Sequence, residues 1–96
     1  MIRMDSYISR SHKIAWQIID EETLVVTPTN STLHVLNRTG TRIWELMEKR
    51  VKIEDIVDKI CSEFDVEEKQ AKKGILKFIE ELVDKGVVSI ENGKST

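Results

Sequence analysis

The sequence predicts an α+β domain of winged helix-turn-helix type: a three-stranded antiparallel sheet, then three helices, then a short C-terminal strand. Residues 14–36 form short runs rich in β-branched and aromatic side chains, whereas apolar residues recur at helical spacing from residue 43 onward. The connections between the runs are too short for crossovers, which makes neighbouring strands antiparallel. With 96 residues, the chain forms a single domain, 1–96, with one modest core. Segments 1–12 and 91–96 are expected to be flexible.

The three predicted strands are separated by turn-forming residues. The first strand is KIAWQII, residues 13–19, and a turn at residues 20–22 leads to the second, TLVVT, residues 23–27. Four turn-favouring residues, 28–31, precede the third, TLHVL, residues 32–36. A meander in this order places the third strand at an edge of the sheet.

Three helices follow the third strand. Asn37 is a suitable N-cap for the first, so strand passes directly into helix, and Gly40 inside that helix suggests close approach of another backbone. The second helix starts after Lys52 and has apolar residues at i, i+3, i+4, i+7, i+8 and i+11 from Ile53. The third is predicted over residues 66–85, with Asp65 and Glu68 as a capping box and Gly86 as its C-terminal stop. Residues 87–90 then form the last strand.

Composition and motifs favour a binding protein over an enzyme. The sequence offers no nucleophile paired with a base, no metal-ligand spacing around His12 or His34, and no glycine-rich phosphate loop, so no catalytic residue, metal or cofactor is predicted. No run approaches the roughly 18 apolar residues of a membrane helix, and the N-terminus lacks the apolar core of a secretory signal. The single cysteine, Cys61, fits a reducing compartment. The chain is therefore predicted to be cytoplasmic, with no membrane partner.

The predicted edge strand lacks the features that usually prevent strand addition. It contains no Lys, no Pro and no acidic residue, so another extended chain can pair with it. The residues of this candidate peptide site are Thr32, Leu33, His34, Val35 and Leu36.

The third helix has a wider apolar stripe than one core contact requires, about 160° against roughly 100°. Its extra flank consists of Leu76, Ile79 and Val83, with Lys72 within it and Lys69, Lys73 and Lys77 alongside. Three interpretations are open: the flank packs under the sheet, the helix recognises nucleic acid, or the flank forms a groove for a peptide. A net charge of −2 argues against nucleic acid, because phosphate-binding surfaces carry a basic excess.

Three segments of the sequence together resemble the PqqD family, whose members are also called RiPP recognition elements, for ribosomally made and post-translationally modified peptides. The resemblance covers about residues 14–90. It is carried by Leu36-Asn37-x-Thr39-Gly40-x-x-Ile43-Trp44-Glu45-Leu46, by Ile53-Glu54-Asp55-Ile56-Val57 with Phe64-Asp65-Val66, and by Phe78-Ile79-x-x-Leu82-Val83-x-Lys85-Gly86-Val87-Val88. Lys52 departs from the pattern, since relatives often have Thr or Ser there.

The resemblance implies a function and a site. It implies a small winged-helix domain that binds the leader segment of a precursor peptide and presents the precursor to a modifying enzyme, such as a radical SAM enzyme, a cyclase or a protease. It also implies that the leader adds to the third strand and lies against the third helix, at Lys72, Leu76, Ile79 and Val83. Lys69, Lys72 and Lys73 would then meet acidic residues of the leader. The alternative function is a winged-helix nucleic-acid-binding regulator. A free edge also permits an edge-mediated homodimer.

Overall fold

The computed structural model describes residues 3–11, 14–27 and 31–91. Six strands and three helices are found in these ranges. In chain order they are β1 (Tyr7–Arg10), β2 (Ala15–Ile19), β3 (Glu22–Val26), β4 (Leu33–Leu36), α1 (Arg38–Leu46), β5 (Val51–Lys52), α2 (Ile53–Glu63), α3 (Glu68–Asp84) and β6 (Val88–Glu91).

The predicted three-stranded antiparallel meander is confirmed. Its strand order is β2-β3-β4, so the third predicted strand, now β4, lies at an edge. Ile19 pairs with Glu22 across a two-residue turn, which is shorter than the predicted turn over residues 20–22. Of the predicted turn at residues 28–31, only Ser31 lies within the described residues, and it has a positive φ of 53°.

A second sheet, of order β5-β1-β6, was not predicted. Its central strand, β1, pairs with β6 over four residues and buries Ile8 completely. The expectation that residues 1–12 are flexible is therefore wrong for β1. At the C-terminus, Glu91 is the last residue of β6. The other residues of the predicted flexible segment 91–96 lie outside the described residues.

The start of α1 and the end of α3 lie where the sequence predicts them, whereas the start of α3 does not. Asn37 caps α1 as predicted, because its side-chain oxygen accepts a hydrogen bond of 2.8 Å from the Gly40 N–H. Gly86, at φ 76°, ends α3 as predicted. The predicted capping box at Asp65 is wrong. The Val66 N–H donates to the Phe64 carbonyl in a tight turn, and α3 begins only at Glu68.

The core lies between the meander, the helices and the second sheet. Fully buried side chains come from every layer: Ile8 from β1, Val25 from β3, Trp44 from α1, Ile56 from α2 and Ile79 from α3. Within the residues that the structure describes, no helix is both long and apolar enough to cross a membrane.

One cationic side chain joins the two sheets. The Arg10 guanidinium lies 4.4 Å from the ring centre of Trp16 and 5.0 Å from that of Trp44. It also donates to the Trp44 carbonyl oxygen, at 3.1 Å from Nε. β1 is therefore tied to the meander by stacking as well as by packing.

Candidate functional site: the β4 edge and its groove

The outer edge of β4 has no strand beside it within the described part of the chain. Two large apolar side chains of β4 are exposed, Leu33 at 57% and Val35 at 55%. His34 is half-buried and Leu36 is buried, since their side chains point to the core face. Thr32, just before the strand, is exposed.

The register determines which backbone groups of β4 are available. The Thr27 N–H donates to the Thr32 carbonyl, so this is a hydrogen-bonded pair. Because such pairs alternate in an antiparallel ladder, the next one joins Val25 and His34. The N–H and C=O groups of Leu33 and Val35 therefore point away from β3, toward the open edge. These are the groups that an added strand would pair with.

The junction between β4 and α1 holds this edge in place. The Thr41 hydroxyl accepts from the Thr23 hydroxyl at 2.8 Å and donates to the Leu36 carbonyl at 3.3 Å. Both threonines are buried, and the Asn37 cap directly follows Leu36 in the chain. The end of β4 is thus attached to β3 and α1 by satisfied buried hydrogen bonds.

A groove separates the β4 edge from the C-terminal half of α3. It encloses a cavity of about 250 Å³ between β4 and one face of the helix. The helix and its C-cap contribute residues at i, i+3, i+4 and i+7, namely Phe78, Glu81, Leu82 and the C-cap Lys85. The floor of the groove is apolar. Its helix wall carries two charged residues, the acid Glu81 and the base Lys85.

The predicted flank of α3 does not lie in this groove. Around the helix axis, Leu76 and Val83 are roughly 140–160° from Glu81, and both are half-buried against the core. Measured from the centre of the four groove-lining positions, Lys69 is about 170° away, and Lys72 and Lys73 are each about 130° away. All three lysines are exposed, and they lie away from the groove.

Two further expectations about this region are corrected. Ile79 is 0% exposed, so it is a core residue in this structure and offers no surface to a peptide. Gly40 does approach a neighbour closely, but the neighbour is a side chain: a Cβ on Gly40 would lie 3.1 Å from Cζ of Phe78.

The wide apolar stripe of α3 has a structural explanation. The helix packs against α2 and against β6, so it is covered on two sides. Sequence reasoning missed the second sheet and therefore assigned the extra width to a ligand. The groove residues Phe78 and Leu82 are apolar residues of the same stripe that were not predicted as site residues, and Gly40 was the signal that something lies against α1 there.

Taken together, the fold and the site define a class: a small winged-helix α+β domain with an open sheet edge beside its third helix. The chain belongs to the PqqD family, because the model of that family, Coenzyme PQQ synthesis protein D (PqqD), matches residues 16–88.

A solved structure and the curated sequences complete the comparison. The chain is similar to TbiB1, whose structure was solved in complex with the TbiA(beta) leader peptide. The two share 27% sequence identity, the TM-score is 0.78, and the match covers 92% of this chain and 99% of the other. No curated protein sequence matches the chain. The comparisons give no support to the nucleic-acid-binding alternative.

Proposed function

We propose that this protein binds the leader segment of a ribosomally synthesised precursor peptide by strand addition to β4 and delivers the precursor to a modifying enzyme. The observation that carries the proposal is the open β4 edge, with the backbone groups of Leu33 and Val35 directed outward beside a groove whose floor is apolar. Membership of the PqqD family and the similarity to a protein solved with a leader peptide support it.

The geometry also predicts the type of peptide that fits. Side chains of an added strand alternate between two faces. One set would enter the groove toward Phe78 and Leu82, and the other would lie beside the exposed side chains of Leu33 and Val35. The groove floor and the exposed side chains of Leu33 and Val35 are apolar, so the bound segment should be rich in β-branched and other apolar residues.

In this proposal the chain is a binding partner and the chemistry belongs to another protein. Among the residues that the structure describes, no three His, Cys, Asp or Glu side chains are grouped so that they could hold a metal ion. The partner would be a radical SAM enzyme, a cyclase or a protease. The predicted cytoplasmic location belongs to the same proposal, because ribosomes make the precursor there. A homodimer through β4 would compete with the peptide for the same edge.

Proline substitutions at the two edges of the meander test the proposal. Val35→Pro removes an N–H that points outward, so the fold should persist, as prolines are tolerated on strand edges. Its binding of a fluorescein-labelled leader from the cognate precursor should weaken at least about tenfold, because one ladder hydrogen bond is lost and the ring obstructs the neighbouring strand.

The matched control is Ile18→Pro. By the same alternation the Ile18 N–H points outward from β2, at the opposite edge of the meander. This variant should fold and bind like the parent in fluorescence polarisation. His34→Pro should instead lose stability, because its N–H pairs with β3. If Val35→Pro folds and binds as tightly as Ile18→Pro, then β4 is not the peptide site.

A further inference from the structure

β2 forms the second open edge of the meander. Among the residues that the structure describes, its only ladder partner is β3. All five residues of β2 are exposed, and none of them is charged or a proline. Three of its side chains are large and apolar: Trp16 is 42% exposed, Ile18 36% and Ile19 46%. The features that usually protect an edge strand from strand addition are therefore missing here as well.

The register determines what an added strand would meet at β2. By the alternation already described for β4, the N–H and C=O groups of Trp16 and Ile18 point away from β3. Both residues pair with buried residues of β3, Val25 and Thr23, so their side chains lie on the face of the meander that α1 covers. Trp16 accordingly meets Trp44 of α1 edge-on, with ring centres 5.9 Å apart. A strand added at β2 would direct alternate side chains toward α1.

A cavity of about 580 Å³ lies beside the Ile18 end of this edge. It is enclosed by the β2–β3 turn, α1 and the end of α2. Ile18 and Phe64 form its apolar part. The charged residues that line it are Glu21, Arg38, Arg42, Glu45, Glu63 and Asp65. With four acids and two arginines, the lining carries a net charge of −2.

The arginines leave part of this acidic charge uncompensated. Arg42 is shared between Glu63, at 2.7 Å, and Glu45, at 3.3 Å. Asp65 is exposed and forms no ion pair with another residue that the structure describes. The remaining charge is negative, so the cavity suits the ammonium or guanidinium group of an incoming basic side chain.

The charges also distinguish among possible occupants of the β2 edge. A second copy that paired antiparallel through β2 would bring two acidic cavities to the same side of one joined sheet, where they repel each other. The apolar segment proposed for β4 has no charge to match this cavity. At the other end of the edge, the Arg10 guanidinium lies over the Trp16 ring and would repel a basic side chain. The occupant that fits has Lys or Arg beside Ile18 and an uncharged residue beside Trp16.

We infer that the β2 edge is a second strand-addition site, and that it binds an extended segment of the modifying enzyme with a lysine or arginine beside Ile18. The inference rests on the proposed function and deepens it, because it gives the enzyme a docking place separate from that of the leader. β2 and β4 are opposite edges of one three-stranded sheet. The two added strands would lie four strand spacings apart, about 19 Å, so both could be bound at once.

Selection from a random peptide library displayed on phage tests the site. The baits are the parent, Val35→Pro, which lacks an outward N–H at β4, and Ile18→Pro, which lacks one at β2. The parent and Val35→Pro should enrich extended segments in which Lys or Arg lies two positions from an apolar residue. Ile18→Pro should not enrich these basic segments, because the strand can no longer pair beside the cavity.

Charge reversal tests the cavity without changing the backbone. One enriched basic segment that lacks tryptophan is synthesised, and its affinity is measured by isothermal titration calorimetry. Asp65→Lys should weaken its binding at least about fivefold, because repulsion replaces attraction at the cavity. The control Asp58→Lys changes the net charge equally, but Asp58 lies about 140° around α2 from Glu63, so it should change binding less than about twofold. Both residues are exposed, so these variants should fold even if a proline variant does not.

Tryptophan emission reports occupancy of the β2 edge directly. The chain has two tryptophans, of which Trp44 is 0% exposed and Trp16 is 42% exposed. The basic segment should cover Trp16 and shift the emission to shorter wavelength. A tryptophan-free leader bound at β4 should leave the emission unchanged.

The purified enzyme that modifies the cognate precursor completes the test, in biolayer interferometry without precursor present. The basic segment should displace the enzyme from the parent, and Ile18→Pro should weaken enzyme binding at least about tenfold, since a ladder hydrogen bond is lost and the ring obstructs the added strand. Ile18→Pro should leave leader binding unchanged, whereas Val35→Pro should do the opposite.

The outcomes separate this inference from the proposed function. Equal affinity of the enzyme for the parent and for Ile18→Pro would overturn the β2 site and leave strand addition at β4 intact. Leader binding that is insensitive to Val35→Pro would overturn the β4 site and leave the β2 site standing. A parent that enriches no basic segment, or that forms a dimer which Ile18→Pro abolishes in analytical ultracentrifugation, would also overturn the inference.

Discussion

Two residues in the β2–β3 turn adopt backbone conformations that L-amino acids rarely take. Asp20 has φ 49° and Glu21 has φ 67°, which together with the two-residue loop define a type I′ turn. Asp tolerates this region, but glycine is preferred at the second position, because a Cβ there costs roughly 1 kcal/mol or more. The Glu21 carboxylate is 3.9 Å from Arg38 in a highly exposed pair that contributes little.

Replacing Glu21 by glycine should therefore stabilise the protein. We expect Glu21→Gly to raise the free energy of unfolding by about 0.5–1 kcal/mol, after the added freedom of the unfolded chain is subtracted. Urea unfolding monitored by tryptophan fluorescence measures the change. Glu21→Ala keeps the Cβ and removes the carboxylate, so it should give no stabilisation. Equal effects of the two variants would mean that the charge, and not φ, matters at this turn.

At the scale of the elements, one ion pair joins α1 to α2. The Arg42 guanidinium donates from two nitrogens to both oxygens of Glu63, at 2.7 and 2.8 Å. These hydrogen bonds hold the pKa of the Glu63 carboxyl below its ordinary value of 4.5. A carboxyl whose pKa is lower in the folded state stabilises the fold above its unfolded pKa and loses that effect as the pH falls.

The stability of a Glu63→Gln variant should depend on pH accordingly. It should be less stable than the parent at neutral pH, and the difference should disappear as the pH falls below 4.5 through the lowered pKa of Glu63. Thermal unfolding across this range is the measurement. Asp58→Asn, on the solvent face of the same helix, should leave the curve nearly unchanged. A difference that persists at acid pH would rule out the ion pair as the cause.

The elements that could be predicted from the sequence are those whose signal is local. The apolar spacing from Ile53, the Asn37 cap and the Gly86 stop are each encoded within a few residues, and they are found as expected. β1 has no such signal, since only Ile8 in its four residues is buried and its partner β6 lies at the other end of the chain. Missing β1 and its sheet also made the flank of Leu76, Ile79 and Val83 look unoccupied, because the sequence alone does not show that distant residues cover this face of α3.

For the molecule as a whole, β1 is the strand that closes the core. Ile8 is 0% exposed and pairs with Val51 on one side and Ile90 on the other. Ile8→Ala should therefore lower the free energy of unfolding by about 2–5 kcal/mol, a large share of the stability of a small domain. Ser9→Ala, on the opposite face of the strand, should cost much less. If chemical denaturation gives Ile8→Ala a cost near that of Ser9→Ala, then β1 is not part of the cooperative unit.

The charge distribution of the whole chain predicts how peptide binding responds to salt. The net charge is −2, the exposed lysines of α3 are interspersed with acids, and the helix wall of the groove carries Glu81 and Lys85. Strand addition depends on backbone hydrogen bonds and apolar contacts, which salt screens little. Contacts to phosphates instead release counterions, so their affinity falls steeply as the salt concentration rises.

We expect the Kd of the leader peptide to change less than about threefold between about 50 and about 200 mM KCl. Fluorescence polarisation with the labelled leader measures this, with a labelled DNA duplex of random sequence as the comparison. A loss of about a hundredfold or more for the peptide over this range would show that exposed charge, and not the backbone and apolar contacts at the β4 edge, supplies most of the affinity.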